Sequence, residues 1–87
     1  MASILITGTS KGIGLATALV LARAGHKVYA GMRNPDRYPE LARTGAKENL
    51  PIQVFTMDVD SDDSVRRSIG TIQKEHGAID ALVDNAG

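Results

Sequence analysis

The run Thr7-Gly8-Thr9-Ser10-Lys11-Gly12-Ile13-Gly14 constrains this chain more than any other feature. A short β-branched run, Ser3–Thr7, leads into it, and apolar residues at helical spacing follow. Glycine near the turn permits backbone angles that a side chain forbids. Glycine at the start of the helix lets an anion approach free backbone N–H groups and the positive end of the helix dipole. Gly14 is expected to let the helix press against a sheet. The unit predicts the phosphate-binding end of an α/β domain. A tight strand-to-helix turn with no ligand is the alternative that the loop alone leaves open.

The rest of the chain repeats the strand-then-helix pattern. Ile13, Ala16, Val20, Leu21 and Ala24 supply an apolar stripe, with Arg23 in the last turn and Gly25 as the stop. Lys27–Met32 reads as a second strand, and Pro35 and Pro39 bracket a weak helix running to about Gly45. Pro51 opens a third strand over residues 52–57, as a proline at a strand start can. Ser61 is placed to cap a helix carrying Asp62 and Asp63 in its first turn and Val65, Ile69 and Ile72 on one face. Gly77 ends that helix, and residues 79–84 form a fourth strand. Alternating strands and helices imply a parallel sheet with right-handed crossovers. The expectation is a doubly wound α/β fold of four strands, order 3-2-1-4, with three helices. Its ligand site should lie at the strands' carboxyl ends, where the order reverses between strands 1 and 4.

Totals exclude several classes. The 87 residues leave room for one small domain, so residues 1–87 are expected to form a single unit. Acidic and basic residues number 10 each, which argues against nucleic-acid binding. With no cysteine, disulfides and thiolate metal sites are out. Residues 4–6 are too short an apolar run for a signal peptide, and no stretch is long enough to span a membrane. A cytoplasmic protein is expected.

The spacing Thr-Gly-x-x-x-Gly-x-Gly is neither the Gly-x-Gly-x-x-Gly dinucleotide fingerprint nor a triphosphatase P-loop, since Ile13 follows Gly12. It resembles the cofactor loop of the short-chain dehydrogenase/reductase family. Asp58-Val59 resembles that family's Asp-Val pair, whose carboxylate contacts the adenine amino group. Residues 80–87, Asp-Ala-Leu-Val-Asp-Asn-Ala-Gly, resemble its Asp-x-Leu-Val-Asn-Asn-Ala-Gly signature. Asp84 departs from the pattern by replacing the first asparagine, which keeps an acceptor and loses an amide donor. The resemblance implies a Rossmann-type domain in which Gly8, Ser10, Lys11, Gly12, Ile13 and Gly14 hold the cofactor's phosphates. Asp58 and Val59 would meet the adenine, and Asn85, Ala86 and Gly87 the ribose side.

An acid at the end of strand 2 would bind the ribose hydroxyls and select NAD. None stands there before Asp36; Arg33 instead offers a planar fork of donors suited to a 2′-phosphate. Lys11 and Ser10 can add a charge and a hydroxyl. In the resembled family, basic residues at these places mark NADP, so NADP is expected over NAD.

No metal site is expected, because the acids at 58, 60, 62 and 63 lack the glycine and glutamate of a calcium loop. Asp58 on the adenine, and helix capping by the other three, account for them. His26 and His76 are read as helix-end cations, and Met32 and Met57 as core or adenine-pocket wall. No Tyr-x-x-x-Lys occurs, so the family's catalytic serine, tyrosine and lysine have no counterpart here and no catalytic residue is assigned. The chain is expected to be the N-terminal half of an NADP(H)-dependent oxidoreductase acting on a small carbonyl or alcohol substrate. It is expected to be truncated, inactive alone, and to form a homo-oligomer or associate through an exposed strand 4 edge. A stand-alone nucleotide-binding or regulatory module is the alternative.

Overall fold

A computed structural model describes residues 2–58 and 60–85. Four strands, β1 (Ser3–Thr7), β2 (Lys27–Met32), β3 (Ile52–Thr56) and β4 (Ala81–Asp84), alternate with helices α1 (Gly12–Arg23), α2 (Glu40–Lys47) and α3 (Asp62–His76). All strand pairs are parallel, in the order β3-β2-β1-β4. The expected doubly wound α/β arrangement is therefore present, and β1 and β2 match their sequence-derived bounds residue for residue. Among the described residues, no helix is long and apolar enough to cross a membrane.

Strand alternation divides the core in two. Ile4, Ile6, Val28, Ala30 and Met32 point to one face, where Ala18 and Ala22 of α1 and Leu41 of α2 cover them. Leu5 and Tyr29 point to the other and pack with Met57 and with Ile72 of α3. β1 and β2 are buried on both faces, which is why they read as continuous apolar runs.

Two expectations need correction. The α1 stripe is not the buried one: Ile13 and Val20 are 77% and 62% exposed, while Ala18 and Ala22 face the sheet and Gly14 is buried at the helix start. The helix is apolar almost all round, so periodicity could not choose a face; small residues won because they let its backbone approach β1 and β2. Gly45 does not stop α2. It is buried against Ile52, where an added Cβ would stand 3.5 Å from Cδ1, and the helix runs on to Lys47 before Asn49 takes a left-handed turn at φ 54°. His26, just past the end of α1, accepts the Ala2 backbone N–H on its Nδ1 at 3.2 Å.

The remaining differences are at element ends. β3 stops at Thr56, although Met57 N–H still donates to Met32 O at 2.9 Å. β4 begins at Ala81, two residues later than expected; Asp80 ties to Ser3 beforehand through a backbone bond of 2.8 Å and a carboxylate bond of 2.7 Å.

Candidate functional site

The glycine loop is fixed from both sides. Gly8 and Gly12 have φ of 69° and 64°, a region closed to most side chains, which lets the loop leave β1 and re-enter α1 within a few residues. Between them Thr9 is fully buried and binds the Gly31 carbonyl twice, through its hydroxyl at 3.1 Å and its N–H at 3.3 Å. Thr9 thus anchors the loop to the end of β2, a role the sequence reading missed. The only signal was a small polar residue inside a glycine loop.

The starts of α1 and α3 differ in a way that bears on ligands. Ser61 caps α3 by accepting the Ser64 N–H at 3.2 Å, with Asp62 and Asp63 in its first turn. At α1 the capping position is Lys11, which forms no side-chain cap bond, and the first turn carries no acid. The leading N–H groups of α1 therefore lack a side-chain acceptor, the arrangement that suits an external anion.

Gly14 is buried beneath the loop. A Cβ there would overlap the Gly8 carbonyl oxygen and lie 2.6 Å from Asn85 Nδ2. The close approach that requires glycine is thus to the loop and the end of β4, not to the sheet face. Asn85 closes this corner, donating its N–H to Thr7 Oγ1 at 3.1 Å and its amide to Gly8 O at 3.4 Å. Thr7 Oγ1 in turn donates to Asp84 Oδ1 at 3.0 Å. The carboxylate that departs from the family pattern at position 84 still serves as an acceptor.

A cavity of about 270 Å³ opens at the carboxyl ends of β1, β2 and β3, lined by Gly8, Ser10, Met32, Arg33, Asn34, Tyr38 and Met57. Of the sequence-derived candidates it brings together Gly8, Ser10 and Arg33, with both methionines as wall. Asn34 and Tyr38 were not foreseen; the turn after β2 carries them back over the cavity, with Arg37 5.8 Å from the Tyr38 ring. Lys11, Gly12 and Ile13 stand exposed at the start of α1 and line no part of it. A second cleft, about 360 Å³, lies where β1 meets β4, between Thr7, Leu82 and Asp84 on the sheet and Asp62, Val65 and Arg66 on α3. The expected position between strands 1 and 4 thus holds a cleft, but Arg33 belongs to the cavity on the β2 side. Val59, Ala86 and Gly87 lie outside the described residues.

Arg33 is paired. Its Nη2 lies 3.3 Å from Asp58 Oδ1 and also donates to Asp60 Oδ2. Asp60 was expected to help cap the following helix; it sits instead in the turn after β3, and Ser61 does the capping. Strand order explains the pairing, since β2 and β3 are neighbours and their carboxyl ends bring residues 27 positions apart into contact.

Known proteins share this framework. Residues 2–87 match the family model described as short chain dehydrogenase. The chain is 38% identical over 85 residues to an NADPH-dependent pterin aldehyde reductase of Arabidopsis thaliana, covering 98% of this chain and 35% of that protein. It is 37% identical over 83 residues to a 7alpha-hydroxysteroid dehydrogenase of Paraclostridium sordellii, covering 95% and 31%. A crystal structure of a gluconate 5-dehydrogenase from Burkholderia cenocepacia, in complex with NADP and tartrate, superposes with a TM-score of 0.85 at 38% identity, covering 99% of this chain and 34% of the other. The chain thus spans about a third of the length of the curated relatives it matches. A glycine loop set between parallel strands, with the match running through β4, leads to one conclusion: the chain belongs to the short chain dehydrogenase family.

Proposed function

We propose that residues 1–87 form the cofactor-binding N-terminal half of an NADP(H)-dependent oxidoreductase, which interconverts a small carbonyl compound and its alcohol by hydride transfer. The carrying observation is the uncapped start of α1 opening beside a cavity that contains Arg33. The leading N–H groups of α1, after Gly12, receive the pyrophosphate, with Ile13 and Gly14 in that first turn and Gly8 turning the loop towards it. Arg33 and Ser10, with Lys11 beside them, receive the 2′-phosphate, and Asp58 and Val59 meet the adenine. Asn85, Ala86 and Gly87 border the nicotinamide ribose. Bound cofactor would supply the hydride acceptor or donor; this chain's residues bind and orient it. A cavity of about 270 Å³ suits the adenosine end of a dinucleotide rather than the whole, being just below the roughly 300 Å³ at which complete ligand sites begin.

Relatives support the choice of cofactor. One similar structure holds NADP, and one similar enzyme is named as NADPH-dependent. The family's catalytic serine, tyrosine and lysine have no counterpart in these 87 residues, so on this reading they bind cofactor without turnover. Association through the open edge of β4 belongs to the same reading.

Titration of NADPH and NADH against wild type and Arg33→Ala tests it. Wild type should prefer NADPH, and Arg33→Ala should lose about 10- to 100-fold in NADPH affinity, the worth of one or two charge-assisted hydrogen bonds, with NADH little changed. Equal affinity of the wild type for both cofactors would overturn the assignment.

A further inference from the structure

Arg33 does not point freely into its cavity. It follows β2, while Asp58 and Asp60 follow β3, so the guanidinium reaches across the carboxyl ends of two adjacent strands to both acids. Asp60 is itself oriented, because its backbone N–H donates to Asp58 Oδ1 at 3.1 Å, forming a turn that presents both carboxylates to Arg33. Both contacts fall on Nη2, so a phosphate taking the paired edge of the guanidinium fork competes with them for that nitrogen. Asp60 is also the more exposed of the two acids, at 76% of its side chain against 53% for Asp58.

We propose that Asp60 is a competing counter-ion for Arg33: its contact must open before a 2′-phosphate can be held, and it thereby lowers the preference for the phosphorylated dinucleotide. The inference rests on the assignment of Arg33 to the 2′-phosphate made above. An exposed ion pair contributes little, so the competition should weaken binding by about two- to fivefold rather than abolish it. Asp60 then tunes specificity from outside the cavity, as a positioning residue acting through Arg33.

Adenosine 2′,5′-bisphosphate and adenosine 5′-monophosphate are suitable probes, because they differ only in the 2′-phosphate. Asp60→Asn should tighten the bisphosphate by about two- to fivefold and leave the monophosphate unchanged. Its bisphosphate affinity should also fall more steeply with salt than that of wild type, because salt no longer loosens a competing pair. In an Arg33→Ala background the Asp60→Asn gain should disappear, since coupled residues give non-additive changes. Asp63→Asn, which removes an equal charge from a residue that does not pair with Arg33, should leave the bisphosphate affinity unchanged. A gain that persists without Arg33, or that Asp63→Asn reproduces, would reduce the effect to general charge and overturn the proposal. If Arg33→Ala removes the bisphosphate preference while Asp60→Asn changes nothing, the counter-ion role alone falls. If Arg33→Ala leaves the preference intact, the 2′-phosphate assignment falls, and the counter-ion role with it.

Discussion

At the scale of single residues, the space left by the missing side chain of Gly14 is occupied by the Gly8 carbonyl and the Asn85 amide. Both neighbours are held, Asn85 by Thr7 and the loop by Thr9, so neither can retreat cheaply. Gly14→Ala should therefore cost about 1–3 kcal/mol, the usual range for overpacking, seen as a lower urea midpoint. On the proposed function it should also weaken NADPH binding by pushing the loop off its anchors; unchanged stability would show that the loop yields freely. The importance of this glycine was legible from spacing alone. Its neighbour was not, because Asn85 is 71 positions distant and only the β1–β4 pairing brings it there. Arg33 is the mirror case: its charge was visible in the sequence, while its pairing with Asp58 and Asp60 emerged only from the way the turns after β2 and β3 present their side chains.

Among the elements, α1 and α2 are tied at their carboxyl ends by a two-pronged contact. Arg23 Nε donates to Glu48 Oε1 at 2.8 Å and Nη2 to Oε2 at 2.6 Å. The hydrogen bond and charge of Arg23 hold the Glu48 carboxyl below the usual carboxylate range, against the opposing effect of desolvation. Because the folded value is the depressed one, this contact stabilises the fold above about pH 4.3, the ordinary glutamate value, and is lost as acidification passes through the lower folded value. Glu48→Gln should accordingly lower the urea midpoint at neutral pH, with the difference from wild type vanishing in acid. A difference that stayed constant down to pH 3, on the order of one unit below that value, would assign the effect to packing instead. α1 also shows the limit of pattern reading. Ile13 and Val20 looked like core by spacing, yet Ala18 and Ala22 are the residues that meet the sheet.

Over the whole molecule, the two faces of the sheet are covered unequally. Among the described residues, α1 and α2 share one face, while α3 alone covers the other and buries one residue fully, Ile72, with Val65 and Ile69 partly buried beside it. Truncation of a buried isoleucine to alanine costs about 2–5 kcal/mol, against total stabilities of about 5–15 kcal/mol for small domains. Ile72→Ala should therefore loosen α3 from the sheet before the rest unfolds. Hydrogen exchange checks this: amides of α3 should lose protection well ahead of those in β1 and β2, and uniform loss would show that both faces unfold as one unit.

The sequence by itself determined the alternation of strands and helices, the bounds of β1 and β2, the strand order and the glycine loop. The elements and the loop rest on local properties: β-branched runs, helix caps and stops, and glycines where the backbone turns. The strand order follows from their alternation through the right-handed crossover rule. Only the tertiary structure decided which face of α1 is buried, that Gly45 packs against Ile52 rather than ending a helix, and that Thr9 anchors the loop. It also decided that Arg33 meets Asp58 and Asp60 across β2 and β3. The physical reason is common to all four: each depends on how side chains from different elements pack and pair, which the spacing of residues within one element does not record.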